Sequence, residues 1–319
     1  MADDVVERST DDALRAMVDA HRRELHVHCY RMLGSVADAD DALQETLLAA
    51  WRGLDRFDGR SSARTWLYRI ATNCCLNLLR TRGRRPVTEP LPPFDPPPPS
   101  RRSDLRWLQP YPDVLLDETH EPGARHLADE SIALAFVSAL QAMPPRQVAA
   151  LLLVDVLGFS LGEVAKMLDA SPTAVKGVLQ RARAVTARPT AQPARSVQDD
   201  DGLAVRFARA YAADDVEGVV ALLTDEAWLA MPPAAHVYEG RDAVHAFLAA
   251  SAAGRGSTQQ LVATRANRQP AFACYRQDAA GAATFTGVVV LTTTPAGISG
   301  ITRFLDASLA PTFGLRARL

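Results

Sequence analysis

Apolar residues recur every three or four positions along the first quarter of the chain, which is the pattern of amphipathic α-helices. Between residues 12 and 82 they include Leu14, Val18, Leu25, Leu43, Leu47, Ala50 and Leu54. The one clear break is at 57–62, where Asp58-Gly59 predicts a turn and Ser61 is placed to cap a helix that begins near Ala63. We therefore predict a helical domain at 12–85.

A second helical block follows at 129–187, with Pro144-Pro145 and Gly158 between its helices. The predicted helices span about 131–142, 146–157, 161–168 and 172–185. Ser160 and Glu163 form a capping box before the third of them. Ser171 can cap the fourth, with Pro172 at its first position. Two well-capped helices separated by a tight turn predict a helix-turn-helix motif.

The fourth of these helices has two different faces. Its apolar stripe consists of Val175, Val178, Leu179 and Ala182. The opposite face carries polar, small and basic residues, namely Thr173, Lys176, Gly177, Gln180 and Arg181. Such a face suits the major groove of DNA, where N-terminal side chains reach base edges and basic ones contact phosphates. A solvated surface helix is the alternative, and the combination of caps, turn length and one-sided charge favours DNA binding.

Proline-rich and polar segments separate the helical blocks from each other and from a third domain. Eight prolines between Pro86 and Pro99 predict an extended, solvated linker, placed at 86–128. The linker includes WLQPYPDVLLD at 107–117, whose large apolar residues indicate docking on another surface. A second polar linker lies at 188–200.

The last block, 201–319, predicts an α+β domain. It opens with helices near 202–213 and 216–223 and then becomes rich in β-branched and aromatic residues. The predicted strands lie at 227–231, 258–266, 270–276, 283–292 and 298–306.

Composition narrows the classes of protein that the chain can be. A length of 319 residues suits two or three domains. No apolar run approaches the roughly 18 residues that span a bilayer, and the first 12 residues are acidic and polar, so we expect a cytoplasmic protein without membrane contact. The net charge of −2 excludes a polycation that coats nucleic acid, so DNA contacts must be local.

Cysteine and histidine do not indicate a metal or cofactor. The four cysteines contain no C-x-x-C pair and are expected to be reduced packing residues. His21, His26, His28 and Cys29 are spread around a helix, which does not favour zinc. We expect no metal, cofactor or catalytic residue.

Two helical segments carry a family resemblance. SPTAVKGVLQRAR at 171–183, after LGEVAKMLD, resembles the region-four helix-turn-helix of extracytoplasmic-function (ECF) sigma factors, which reads the minus-thirty-five promoter element. DADDALQETLLAAW at 38–51 and FDGRSSARTWLYRIATNCCLNLLR at 57–80 are similar to region two. The resemblance implies a subunit that binds core RNA polymerase, through the β′ clamp and the β subunit, and directs initiation at specific promoters.

The resemblance also implies roles for individual residues. Those that would contact the polymerase are Asp38, Asp41, Gln44, Glu45, Leu48 and Trp51. Those that would hold the melted minus-ten strand are Phe57, Arg60, Ser61, Arg64, Trp66, Arg69, Asn73 and Asn77. The minus-thirty-five set is Ser171 with the outward face of its helix.

The residues themselves support part of this assignment. Melted strands are held by aromatic faces that stack on bases and by cations that contact the backbone, and Trp66 lies between Arg64 and Arg69. An aromatic at helical spacing from Ile70 is equally well explained as core packing. The acidic residues of 38–45 could likewise be an ordinary solvated face.

The third domain resembles the SnoaL-like α+β cones that follow region four in a subset of these sigma factors. The segments that carry the resemblance are NRQPAFACY at 267–275 and FLDASLAPTFGL at 304–315. WLQPYPD is similar to the same subset. Residues that would line a ligand pocket are Tyr211, Trp228, Met231, His236, Tyr238 and Phe304, with Asp214 or Asp306 as the nearest carboxylates. No acid–base pair stands out, so regulation is favoured over catalysis.

Three functions remain to be distinguished. The first is a promoter-specificity subunit of RNA polymerase. The second is a free-standing helix-turn-helix regulator that uses the third domain as an inducer pocket, and the third is an isomerase-like enzyme attached to DNA-binding domains. An anti-sigma factor and a small apolar ligand stay open as further partners.

Overall fold

The computed structural model describes residues 2–54, 57, 59, 61–82, 94–102, 108–116, 131–186, 197–278 and 280–319. It divides into two compact units. The first contains Met1–Arg85, Leu115–Ile132 and Phe136–Arg188, and the second contains Pro86–Val114, Ala133–Ala135 and Pro189–Leu319. Among the predicted site residues, Arg60 lies outside the described part of the chain.

Three long helices form the N-terminal part of the first unit: α1 (Ala2–Leu33), α2 (Val36–Gly53) and α3 (Ala63–Arg82). The prediction of a single break was wrong, because the chain also turns between α1 and α2. Gly34 has a left-handed φ of 70°, and Ser35 caps α2 by accepting a hydrogen bond from Asp38 N at 3.2 Å. The cap of α3 is Ser62 rather than Ser61, since Ser62 Oγ accepts from Thr65 N at 3.0 Å.

Four helices and one π-helical turn follow: α4 (Leu134–Gln141), α5 (Pro145–Leu151), the turn Leu152–Val156, α6 (Leu161–Met167) and α7 (Pro172–Thr186). They belong to the first unit, except for the first two residues of α4, which belong to the second. The predicted caps are confirmed. Ser160 and Glu163 form the complete capping box of α6. Ser171 Oγ accepts from Ala174 N at 3.1 Å at the start of α7. Helices α6 and α7 therefore form the predicted helix-turn-helix.

The second unit has the predicted α+β fold. Its helices are α8 (Val197–Ala212), α9 (Val216–Val220), α10 (Arg241–Ala253) and α11 (Leu309–Thr312). Its strands are β1 (Arg101–Arg102), β2 (Leu223–Ala230), β3 (His236–Glu239), β4 (Gln259–Ala266), β5 (Gln269–Gln277), β6 (Ala283–Thr294) and β7 (Gly297–Phe304). They form one sheet in the order β1-β3-β2-β7-β6-β5-β4, antiparallel except for β2 and β7.

The sheet packs a continuous apolar core against its helices. The core includes Phe207 of α8, Phe247 of α10, Leu229 of β2 and Ile301 of β7. The sequence patterns missed β1, β3, α10 and α11. They also extended the helix at 216 to Leu223, which begins β2 instead.

The proline-rich linker is not a free spacer over its described parts. Phe94 packs against Phe247, with 5.5 Å between ring centroids, and the Pro97 carbonyl accepts a hydrogen bond from Tyr238 Oη at 2.9 Å. Strand β1 then pairs with β3. At 94–102 the chain is extended and half-buried to exposed, as predicted, but it packs on the C-terminal domain and is not a free linker.

Candidate promoter and polymerase interfaces

One face of α2 is exposed and combines acidic with large apolar side chains. Asp41, Gln44 and Glu45 are exposed, and Asp38 is half-buried. Leu48 and Trp51 are 46% and 60% exposed although both are large and apolar. The buried face holds Val36, Ala39, Ala42, Leu43, Thr46 and Ala50. The helix thus keeps six predicted polymerase contacts together on its outer side.

A polar stripe runs along α3. Arg69, Asn73 and Asn77 are exposed at four-residue spacing, so they share one face of the helix. Trp66 near the start of α3 is half-buried, and its ring lies 4.9 Å from that of Phe57. Trp66 therefore fits both core packing and base stacking, because it packs on Phe57 while part of its surface stays accessible.

Arg64 does not share this stripe. Its guanidinium lies 5.0 Å from the Tyr68 ring centroid and 4.7 Å from that of Phe159, and its Nε is 3.4 Å from Glu24 Oε2. The structure thus separates Arg64 from the stripe of Arg69, Asn73 and Asn77, because five helical positions turn it away from Arg69.

The outward face of α7 matches its prediction. Ser171, Thr173, Lys176, Gln180 and Arg181 are all exposed, while Val175, Leu179 and Ala182 are buried. A Cβ at Gly177 would contact only the end of the Arg181 side chain, at 3.9 Å, so this side of the helix is open. The neighbouring Arg183 is held instead by a bidentate pair with Asp155, at 2.9 and 2.6 Å.

The six predicted pocket residues do not converge. Tyr211, Met231 and Tyr238 pack in the core between the sheet and its helices. Trp228 and Phe304 point to the opposite face, because alternate strand residues face opposite sides and Leu229 and Ile301 belong to the core. His236 is half-buried at the start of β3. A single pocket lined by all six is therefore excluded.

The two predicted carboxylates are already engaged. Asp214 Oδ1 lies 2.8 Å from Nη1 of the buried Arg255. The Arg255 guanidinium carbon in turn lies over the Tyr211 ring, 5.1 Å from its centroid. The cleft beside them has room for about one water molecule. Asp306 accepts hydrogen bonds from Gln109 Nε2 at 3.4 Å and from Ser308 N at 2.9 Å.

A set of contacts that the sequence patterns missed joins the linker to the β4–β5 turn. Asn267 Oδ1 accepts from Tyr111 N at 2.8 Å, and Asn267 N donates to Tyr111 O at 2.8 Å. Asp113 Oδ1 accepts from Arg268 N at 2.8 Å. Both turn residues have left-handed φ, of 56° and 59°. WLQPYPD and NRQPAFACY carried the signal as resembling motifs, but only the fold shows that they meet.

The described residues contain neither a metal-binding cluster of His, Cys, Asp and Glu nor a helix long and apolar enough to cross a membrane. Their cysteines are free, and Cys29, Cys75 and Cys274 are buried. Burial raises the pKa of the Cys274 thiol. These side chains therefore pack as small apolar groups.

Comparison with known proteins identifies the helical domains. The family model for sigma-70 region 2 matches residues 17–85, and that for sigma-70 region 4 matches residues 133–184. The chain is 41% identical over 309 residues to the ECF RNA polymerase sigma factor SigG of Mycobacterium tuberculosis, which covers 94% of this chain and 83% of that protein.

A second relative matches most of the chain. The ECF RNA polymerase sigma factor SigJ of Mycobacterium tuberculosis is 30% identical over 241 residues, which cover 72% of this chain and 70% of that protein. The crystal structure of SigJ superposes with a TM-score of 0.60 over 94% of this chain and 99% of that chain. At 22% identity, this match shows a common fold. Because it is 41% identical to SigG over 94% of its own length, the chain belongs to the ECF RNA polymerase sigma factors.

Proposed function

We propose that this sigma factor divides promoter-specific initiation among three surfaces. The exposed face of α2 binds core RNA polymerase, the polar stripe of α3 holds the melted minus-ten strand, and the outward face of α7 reads the minus-thirty-five element. The C-terminal domain regulates these steps through the linker. The observation that carries the proposal is the exposure of Leu48 and Trp51 within an acidic face.

The α2 face has the properties of a protein interface. Two large apolar side chains that remain in water gain free energy when a partner covers them. Trp is among the residue types that dominate binding energy when they are buried at an interface. The surrounding Asp41 and Glu45 carboxylates favour a basic partner surface and increase the rate of encounter.

Removing the Trp51 ring tests this assignment. Trp51→Ala should weaken equilibrium binding to core polymerase by about 2 kcal/mol, or roughly 30-fold, if Trp51 is a central contact. Because the ring is exposed, the free energy of unfolding should change little. Arg52→Ala, next to it on the same helix, is the matched control. Equal binding of Trp51→Ala and Arg52→Ala would remove the α2 face from the polymerase interface.

The α3 and α7 surfaces suit two different forms of DNA. Asn73 and Asn77 offer both donors and acceptors for the edges of unpaired bases, and Arg69 offers a cation for the backbone. On α7, Lys176 in the N-terminal half and Arg181 in the C-terminal half are exposed, on a helix that fits the major groove.

Contacts of the linker support a regulatory role for the C-terminal domain. The domain holds two stretches of the segment that joins the two DNA-binding domains, at 94–102 and 108–113. Gln269 Oε1 also accepts a hydrogen bond from Leu134 N at 3.1 Å, at the start of α4. Each attachment restricts the linker, so its release can change what the DNA-binding domains reach.

We further propose that the C-terminal domain performs no covalent chemistry and that the protein acts in the cytoplasm. Support for the first point comes from the side chains themselves. Tyr211, Met231 and Tyr238 fill a packed core, and Asp214 is paired with Arg255. A catalytic carboxylate would need an open pocket beside it. Turnover of a small molecule by the full chain would contradict this proposal.

A further inference from the structure

The inner face of the C-terminal sheet, which packs against the helices, carries arginine as well as apolar side chains. Arg303 follows Ile301 by two positions on β7, and Ile301 belongs to the apolar core, so Arg303 lies on the same face. Arg276 follows the core residue Cys274 by two positions on β5 and shares that face too. The inner face therefore carries one half-buried cation, Arg303, and one exposed cation, Arg276.

A third arginine lies beside Arg276. Thr284 of β6 is opposite Arg276 of β5 and also opposite Arg318 of the segment that follows α11. Residues directly opposite one another in antiparallel pairs point to the same face of a sheet. All three side chains are exposed. Arg276 and Arg318 therefore form an exposed cationic rim at the border of the inner face.

Arg255 reaches the inner face from the helices. It lies between α10 and β4, and its side chain is only 8% exposed. Its Nη1 lies 2.8 Å from Asp214 Oδ1, and its Nη2 donates to Ser251 Oγ at 3.4 Å. Burial raises the pKa of the Cys274 thiol, while Arg303 and Arg255 lower it. Because charges act on a buried thiol at short range, both guanidinium groups lie near the Cys274 sulfur.

Buried polar atoms at this place lack partners. Nε of Arg303 and Nε of Arg255 have no hydrogen-bond partner among the described residues, and neither has Oε1 of the buried Gln259. In the same part of the chain, Asp214 is the one carboxylate that pairs with either guanidinium. Two cations thus share a single carboxylate, which is itself exposed. Burial of a charge without a partner is unfavourable, so a bound anion would stabilise this arrangement.

The charges along this half of the domain leave few carboxylates for the arginines. Residues 255–319 contain seven arginines, no lysine and two acidic residues, Asp278 and Asp306. Asp278 Oδ1 accepts hydrogen bonds from two backbone N–H groups of its own turn, at 2.9 Å each. Asp306 Oδ1 accepts from Ser308 N at 2.9 Å. A concave surface with charges of one sign attracts ions of the opposite sign, so the rim and the inner cations favour the approach of an anion.

We propose that the inner face of the C-terminal domain binds a small carboxylate between Arg303 and Arg255, and that the rim attracts it. A guanidinium donates two parallel hydrogen bonds to a planar carboxylate, which makes this anion the best match for paired arginines. The cleft beside Arg255 has room for about one water molecule, so only a small group can approach on that side. The inference goes beyond the proposed function and does not rest on it, because binding is measured without polymerase.

The test uses the full chain and a fluorinated probe. 3-Fluoropropionate is titrated into the protein at constant ionic strength and followed by ¹⁹F NMR, with 3-fluoropropionamide as its neutral counterpart. Arg303→Met removes the charge at similar side-chain length, and Arg206→Met, at an exposed position of α8, is the matched control. We expect wild type and Arg206→Met to bind the acid and not the amide. Arg303→Met should bind the acid at least about tenfold more weakly.

Thermal unfolding separates a ligand site from a structural role of Arg303. Without the probe, Arg303→Met should unfold at a higher temperature than wild type, because an unpaired charge is replaced by an apolar side chain. With the probe, the Tm of wild type should rise and that of Arg303→Met should not. An arginine that only holds the fold gives the reverse, namely a lower Tm for Arg303→Met without the probe, and that result would overturn the proposal.

A second variant and the probe itself give further outcomes. Arg303→Lys keeps the charge but loses the planar fork, so its affinity should lie between those of wild type and Arg303→Met. Equal binding of acid and amide by wild type, or no binding of either, contradicts a carboxylate site. Equal affinity of Arg303→Met and Arg206→Met contradicts the position of the site. Tighter binding of inorganic phosphate than of the acid would contradict the choice of ligand class.

Discussion

The buried side chain of His28 should make the stability of the first unit depend on pH. Its ring packs edge-on against Tyr68, and its Nε2 lies 3.0 Å from Thr72 Oγ1. Burial, with the nearby cations Arg31 and Arg64, lowers the pKa of His28 to about 3. In the unfolded chain the pKa is about 6.5. Between pH 6.5 and 3 the unfolded state therefore binds the extra proton, so stability falls as the pH drops through this window.

Replacing His28 should reduce this dependence on pH. In His28→Asn, the free energy of unfolding should decline less steeply between pH 6 and 4, by up to about 1.4 kcal/mol per pH unit. The variant should also be less stable at pH 7, because a buried ring is lost. Urea titrations at pH 7, 6, 5 and 4 measure the slope, and His245→Asn, at an exposed position, is the control. Identical slopes for wild type and His28→Asn would show that His28 does not titrate on unfolding.

At the scale of elements, α7 carries exposed cations that we propose to face DNA and one further cation that is held by an ion pair. Lys176 and Arg181 are exposed, whereas Arg183 is occupied by Asp155. Lys176→Glu with Arg181→Glu should abolish promoter-specific transcription while binding to core polymerase persists, because phosphate attraction becomes repulsion. Arg183→Ala should leave transcription close to wild type. Loss of core binding together with transcription in the double variant would contradict the separate roles of α2 and α7.

Local signals in the sequence predicted the helix-turn-helix well. A capping box and a cap followed by proline act within one helical turn, so Ser160, Glu163, Ser171 and Pro172 are readable without tertiary information. Helix α10 was missed because it begins after Gly240 without a side-chain cap, although Val244, Phe247, Leu248 and Ser251 have helical spacing. The turn at Gly34 was missed because apolar periodicity continues from α1 into α2.

Contacts between distant segments could not be predicted from periodicity. Arg64 was grouped with the minus-ten residues by the family resemblance, but Phe159 and Glu24 determine where its guanidinium lies. The predicted pocket failed for a related reason, since it combined strand residues that alternate between two faces of the sheet. The polymerase and minus-thirty-five residues lie together because each set belongs to a single helix, and their roles remain predictions.

At the scale of the whole molecule, the β4–β5 turn offers a matched pair of variants. Asn267 and Arg268 both have left-handed φ, which glycine adopts without strain, but only Asn267 accepts a hydrogen bond from Tyr111 N through its side chain. Asn267→Gly should increase hydrogen exchange at 108–113 about tenfold through the loss of that bond, and it should change transcription. Arg268→Gly keeps the bond to Tyr111 N but removes a cation that attracts Asp113, so it should change both less. Unaltered exchange and transcription in Asn267→Gly would argue against linker control by this domain.

The most direct test of the account is reconstitution with bacterial core RNA polymerase. The purified protein is mixed with core enzyme, and transcription is initiated from genomic fragments. The account predicts a stable complex that initiates at a small set of promoters. If no complex forms with the full chain or with a chain that ends after Arg188, the claim that the protein is a polymerase subunit is contradicted. Tight duplex binding by the isolated protein would then identify a free-standing DNA-binding regulator.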